Sequence, residues 1–327
     1  MGGMRGKHRI ASGFGPFSPC SDRFTTGGYR DPVPLEEQFR LAAGIEGLSA
    51  VCLDYPSQLN DLPMTRELVR RHGFAVATVA PGIYYDRRWK LGTFANPDPG
   101  IRREAVELAK RSMDVAAELG AEDILVWPAY DGFDYPFEAD YLRGWGWLVE
   151  GIGEAASHRS DVRLAVEYKK QEIRTNLYVR NAGTLLGLLE EIGLDNVGGV
   201  VDYGHSLAAG ENPAEAAVLL HRKGRLYQVH VNDNYRDWDH DMIPGTVSFW
   251  ETLEFFYWLR RLGYAGWYIV DIFPYRLDGA GAFQDGVRQV EYFLETAGRL
   301  QSAELEQCLM RNDKLAADAL IRPRVLR

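Results

Sequence analysis

Short runs of β-branched and aliphatic residues recur along the chain, and each breaks off at polar residues or glycine before a longer segment with apolar positions at helical spacing. Eight such runs are present: 9–15, 50–56, 75–81, 123–129, 163–169, 197–204, 226–232 and 266–273. Between them lie helical patterns such as 99–119 and 247–262; in the first, Glu104, Glu107, Lys110 and Arg111 punctuate an apolar stripe. Strand-then-helix units roughly 25 to 48 residues apart, with strands that read as continuous apolar runs, predict parallel strands buried on both faces. The expected fold is α/β: one (β/α)8 TIM barrel over residues 1–297, followed by a C-terminal helical extension over 298–327. A doubly wound sheet is the alternative, but its phosphate signature is missing, because Gly13-Phe14-Gly15-Pro16 does not continue to a third glycine. In the extension, Leu300, Leu305, Leu309, Leu315 and Leu320 among charged residues predict one or two amphipathic helices, packed on their own barrel or on a neighbouring subunit.

Composition narrows the function. Of 327 residues, 46% are hydrophobic and 25% charged, the balance of a folded globular chain. Aspartate and glutamate number 46 against 37 lysine and arginine, a net charge of −9. A surface of that sign repels phosphate backbones and anionic headgroups, so neither nucleic acid nor membrane is expected as a partner. Cys20, Cys52 and Cys308 stand far apart with no CxxC pair, which fits a reducing, cytoplasmic setting. The first ten residues are basic without a following apolar stretch, and nowhere do 18 apolar residues run together, so neither an export signal nor a membrane span is expected.

In a barrel of this kind chemistry gathers where strands end at the C-terminal mouth. Strand five reads Leu-Ala-Val-Glu167-Tyr-Lys169, strand six Val-Val-Asp202-Tyr-Gly-His205, strand seven Gln-Val-His230-Val-Asn232-Asp233, and strand eight Ile-Val-Asp271-Ile-Phe. A carboxylate directly after buried aliphatics is costly without a partner. Three such acids and one imidazole around one mouth would repel and raise one another's pKa values unless a divalent cation sat among them. Glu167, Asp202, His230 and Asp271 are therefore the candidate ligands, and oxygen-rich coordination favours Mn2+, Mg2+ or Co2+ over zinc. Singly, each acid also fits a helix N-cap or an ion pair. Asp239 and Asp241, alternating on the loop after strand seven, offer two further carboxylates for a second cation, or a solvated acidic turn. Lys169 shares the parity of Glu167 and faces the mouth, either to act on substrate or to pair with a neighbouring acid. His205 is a candidate substrate or supporting contact. Trp127 and Asp131, in the string 127–136, are candidate sugar contacts, although aromatic residues are also ordinary core material.

Taken in order, these motifs resemble the xylose-isomerase-like TIM barrels, and among them the L-rhamnose isomerases and related sugar isomerases. Glu167-Tyr-Lys169 looks like the family's first ligand and its lysine; Val-Asp202-Tyr-Gly-His205, His230-Val-Asn-Asp and Asp239-x-Asp241 with Gly245 resemble three further segments, and Asp271 falls at the last ligand. The resemblance implies a divalent-metal enzyme that moves hydrogen between adjacent carbons of an unphosphorylated sugar, by hydride shift or through an enediol, with catalytic roles for Glu167, Lys169, His205 and Asp271. A homo-oligomer is the implied assembly. The chain also departs from the pattern: Lys170-Gln-Glu172-Ile-Arg174 stands where Pro-x-Glu-Pro-Arg is usual, and Ala129-Tyr130 stands where glycine and glutamine precede Asp-Gly. No early-strand histidine for ring opening is present, and Asp54 is the nearest polar candidate. These differences keep two other readings open. One is the larger subunit of a C-glycoside deglycosidase, which cleaves a carbon–carbon bond in a 3-keto-glycoside beside a small β-rich second subunit; the other is a sugar-binding barrel without turnover.

Overall fold

The apolar runs become the staves of a closed barrel in the computed structural model, which describes residues 6–326. The strands are Ile10–Ser12, Ala50–Tyr55, Ala75–Pro81, Asp123–Val126, Arg163–Glu167, Val197–Asp202, Leu226–Val231 and Tyr268–Val270, here numbered one to eight. All neighbouring pairs are parallel, and strand one closes the ring by pairing with both two and eight. All eight expected strands form. The expected runs overshoot, most visibly at 123–129 and 266–273, because the residues nearest the mouth leave the backbone ladder and turn over the open end.

Helices cover the outside: α1 (Leu35–Ala43), α2 (Leu62–His72), α3 (Pro99–Leu119), α4 (Tyr141–Ser157), α5 (Ala182–Ile192), α6 (Tyr203–Ala208), α7 (Pro213–Arg222), α8 (Phe249–Arg261) and α9 (Gly279–Leu300). Their starts are written in the sequence. Asp61, Asp98, Asp140, Asn181 and Asn212 each accept a backbone N–H of the first turn, and proline stands in the first turn after Asp61, Asp98 and Asn212. Two short helices follow, α10 (Ala303–Met310) and α11 (Lys314–Val325). The boundary expected at 297 falls inside α9, and Leu305, Ala317 and Val325 join the main core, so the extension packs on its own barrel. No helix among the described residues is long and apolar enough to cross a membrane.

The main core fills the layer between strands and helices. Two small apolar clusters also form, one of Ala11, Ala50, Ala77, Trp267 and Ile269, the other of Ala165, Val200 and Tyr227. A polar layer crosses the barrel from strands three and four to strand seven: Gln228 Nε2 donates to Thr78 Oγ1 at 3.0 Å and to Asp123 Oδ1 at 2.5 Å. Above the mouth, Thr175–Leu177 pairs antiparallel with both Gly132–Phe133 and Gln171–Glu172, a small sheet that the helical and strand periodicities did not foretell.

Candidate metal centre

Glu167, Asp202, His230 and Asp271 converge. Each presents one ligand atom, and the four atoms lie within 4.8 Å of one another. Strand register accounts for this: His230 is level with Asp202 on strand six and with Ile269 on strand eight, two residues below Asp271. Glu167, Asp202 and His230 are buried, whereas the Asp271 side chain is 37% exposed and opens toward solvent.

His230 decides what this cluster can hold. Its Nε2 lies 3.2 Å from Gln228 Oε1. Because the amide nitrogen of Gln228 is turned toward Asp123 and Thr78, the amide oxygen must accept from His230, which places the imidazole proton on Nε2. Nδ1 then points among the carboxylates, 3.3 Å from Glu167 Oε1, 3.5 Å from Asp271 Oδ2 and 3.9 Å from Asp202 Oδ2; burial opposes charge on the ring, but Glu167 and Asp271 outweigh it and raise its pKa well above the ordinary value. That nitrogen is buried and has no hydrogen-bond partner. An orphaned imidazole nitrogen facing three carboxylates is the donor set of a divalent cation, and the side chain two residues back fixes its tautomer, as supporting residues do for metal-binding histidines.

Asp202 satisfies both of its sequence readings at once. Its Oδ1 caps α6 by accepting His205 N–H at 2.8 Å, while Oδ2 accepts Asn232 Nδ2 at 3.1 Å and faces His230. Burial, reinforced by Glu167 and Asp239 and partly offset by His205, pushes its pKa up to about 6.

Lys169 and His205 meet on one carboxylate. Lys169 Nζ is 2.8 Å from Asp239 Oδ2 and also bonds Glu172, and His205 Nε2 is 3.1 Å from the same Asp239 oxygen. Burial opposes the charge on Lys169, but Asp239, Glu172 and Asp241 outweigh it and raise its pKa, so the ammonium is a fixed charge rather than a proton shuttle. For His205, burial lowers and Asp202, Asp239 and Glu167 raise, with a net rise to about 9. Burial likewise opposes ionisation of Asp239, yet His205 and Lys169 hold its carboxyl well below the usual range. Asp241, with φ +47°, has its pKa pushed well up by burial and by repulsion from Asp239 and Asp271. Asp239 and Asp241 stand outside the four-ligand cluster. Asp239 Oδ1 is buried and unpartnered, so that carboxylate keeps one oxygen free.

Two expected sugar contacts differ in their fate. Trp127 faces the site: Lys169 Nζ sits 5.0 Å from its ring centroid and Tyr84 packs on it at 5.3 Å. Asp131 does not belong with it. Its carboxylate is buried and accepts the backbone N–H groups of Thr93, Phe94 and Ala95 together with the Thr93 hydroxyl, so both oxygens are consumed in bracing the loop after strand three. Asp54 is gripped by Tyr84 Oη at 3.0 Å and Tyr85 Oη at 3.1 Å. The sequence reading missed Gln228 and Asp123. Gln228 was within reach of it, since a residue two before His230 on a strand shares its face.

Fold and site together describe a (β/α)8 barrel with an acid-and-histidine cluster, a candidate cation centre, at its mouth. The chain belongs to the xylose isomerase-like TIM barrel family, whose model matches residues 41–295. It is 28% identical over 200 residues to the xylose isomerase of Thermus thermophilus, covering 59% of this chain and 52% of that one. The xylose isomerase of Ruegeria pomeroyi is 25% identical over 188 residues, 55% of this chain and 43% of its own length. The chain thus spans about half the length of the curated relatives it matches. Among solved structures, 3-keto-D-glucoside 4-epimerase from E. coli superimposes with a TM-score of 0.67 at 19% identity, over 88% of this chain and all of that one. A D-allulose 3-epimerase from Methylomonas sp. gives 0.67 at 16%, over 90% and 100%. At such identities the likeness establishes the fold.

Proposed function

We propose that this chain is a divalent-metal-dependent isomerase or epimerase of an unphosphorylated sugar. The observation that carries the reading is the orphaned Nδ1 of His230 among Glu167, Asp202 and Asp271. A cation held by these four residues would polarise a sugar carbonyl and the neighbouring hydroxyl, and stabilise negative charge developing on their oxygens. The protein's own contribution is then to place acids and fixed charge. Glu167 and Asp271, from strands five and eight, are the acids that would remove a proton from the sugar carbon and return it. Lys169 and His205, cationic against Asp239, supply positive charge for an oxygen anion, and Trp127 offers an apolar face to the sugar ring. The surplus of acids disfavours a phosphate in the same pocket.

The test is a panel of free pentoses and hexoses offered to protein stripped of metal and then reconstituted with Mn2+, Mg2+ or Co2+. Interconversion that appears only on reconstitution supports the reading; interconversion unaffected by chelation overturns it. A second reading, carbon–carbon cleavage of a 3-keto-glycoside, draws on the altered strings at 129–130 and 170–174, of which Tyr130, Glu172, Ile173 and Arg174 line a cleft of about 680 Å3 beside the mouth. It requires a small β-rich second subunit, whereas the isomerase reading goes with a homo-oligomer; sizing and mass analysis of the natively purified protein separates them.

A further inference from the structure

The loop after strand three is pinned from within. Trp89 is buried, and Asp86 caps the short turn Arg87–Trp89 by accepting the Arg88 backbone N–H at 2.9 Å. Arg87 and Lys90 flank that anchor, and both line the cleft beside the mouth. The acids of the cleft are already engaged. Asp86 holds Arg88, Asp134 holds Arg174 and Asp140 holds Arg143, at 3.0, 3.0 and 3.6 Å. Glu172 bonds Lys169, and Glu138 accepts the backbone N–H groups of Asp134 and Tyr135. Among the described residues no acid pairs with Arg87 or Lys90, so the cleft holds two cations that the chain leaves unmatched.

The cleft also communicates with the candidate metal centre. Tyr84 lines it and packs on Trp127 at 5.3 Å; Glu172 lines it and holds Lys169, whose Nζ sits 5.0 Å from the same indole. None of the four candidate ligands lines it. A carbon chain with its carbonyl at those ligands and its tail along Tyr84 therefore carries the tail toward Arg87 and Lys90, three and six residues further along the same loop. Tyr84, Tyr130 and Phe133 offer aromatic faces to the C–H groups of such a chain. Two cations on flexible stems suit an anion at its end. The five acids around them favour the single charge of a carboxylate over the double charge of a phosphate.

We infer that the substrate is a sugar acid: its carbonyl end meets the ligand cluster, and a carboxylate at the far end of its carbon chain pairs with Arg87 and Lys90 in the cleft. The inference rests on the isomerase reading for the placement of the carbonyl, and adds the charge of the opposite end. A free hexuronate meets both demands, because its anomeric carbon is unblocked and still opens to a carbonyl. Titration calorimetry of the Mn2+-loaded full chain, freed of excess metal, tests it with matched sets: D-glucose, D-galactose and D-mannose, their uronates, their neutral uronamides and their 6-phosphates. At least one uronate is expected to bind about tenfold more tightly than its hexose and its uronamide, the scale of a charge-assisted hydrogen bond. That preference should shrink as salt is raised. It should fall toward unity in Arg87→Gln/Lys90→Gln and persist in Arg87→Lys/Lys90→Arg, which keeps both charges. Uronates that bind no better than their neutral partners, a 6-phosphate that binds better than the uronate, or a preference that survives the neutral double substitution in folded protein overturns the inference. Metal-dependent interconversion of neutral sugars without uronate preference removes this inference and leaves the isomerase reading standing. Uronate-selective binding without metal-dependent interconversion of any sugar removes that reading and leaves the cleft as an acid-binding site.

Discussion

At the N-terminal end of the barrel a buried acid is matched by its surroundings; at the C-terminal mouth the acids outnumber their partners. Asp123 lies under the polar layer with Arg163 Nη2 at 3.0 Å and Gln228 Nε2 at 2.5 Å. Burial pushes its pKa up to about 6, against the pull of Arg163, Thr78 and Gln228. At the mouth Glu167, Asp202, Asp239, Asp241 and Asp271 face one lysine and two imidazoles, and one buried imidazole nitrogen has no hydrogen-bond partner. A buried acid with a matched partner is architecture, whereas a surplus of acids around such a nitrogen has the make-up of a candidate cation site.

The largest expected effect is at the mouth. Asp202→Asn removes a ligand while leaving an N-cap, and should lower metal-dependent sugar turnover by about a hundred- to a thousandfold, with the circular dichroism spectrum unchanged. A small loss of rate would place Asp202 with Asp123 among the structural acids. Next comes the pH dependence of metal-free protein. His205 has a folded pKa of about 9 against an ordinary 6.5, so its stabilising contribution is complete below pH 6.5 and is lost as pH rises through 9. Unfolding free energies of wild type and His205→Asn should therefore converge over that window, by up to about 3 kcal/mol; a constant difference across it would contradict the assignment.

Gln228→Leu sharpens the link between the two ends. Without its amide oxygen nothing fixes the proton of His230 on Nε2, and metal affinity should fall about 10- to 100-fold. Calorimetric Mn2+ affinity of the folded variant reports that loss, and an affinity equal to that of wild type would remove Gln228 from the site. The smallest effects oppose one another in sign. Asp123→Asn should destabilise metal-free protein by about 1–2 kcal/mol, because a charged partner of Arg163 is lost. Asp241→Asn, which relieves repulsion from Asp239 and Asp271, should stabilise it by about 1 kcal/mol. Thermal denaturation of the two variants that moved in the same direction would dissolve the distinction between the ends.

Much of this was legible in one dimension. The eight staves show themselves because strands buried on both faces read as unbroken apolar runs, and the four candidate ligands show themselves because three acids and a histidine interrupt those runs at one end. Other features depend on contacts across the barrel. Asp131 resembles a sugar ligand until Thr93, Phe94 and Ala95 fold over it, and no spacing along the chain brings residues 93–95 to it. Lys169 and Glu172 are close in sequence, but Asp239 arrives from the loop after strand seven and turns the lysine into a fixed charge. The hairpin pairing over the mouth, which shapes the cleft, has strands of two and three residues, too short for periodicity to register.

The most direct test of the central claim is the cation content and affinity of the full chain, by elemental analysis and by calorimetry with Mn2+, Mg2+ and Co2+ after chelation, for wild type and Glu167→Gln. One tightly held divalent ion per chain at least, lost in the folded variant, is the predicted result. Wild-type protein that takes up no divalent cation, or a Glu167→Gln variant that binds it as well as wild type, would contradict the account.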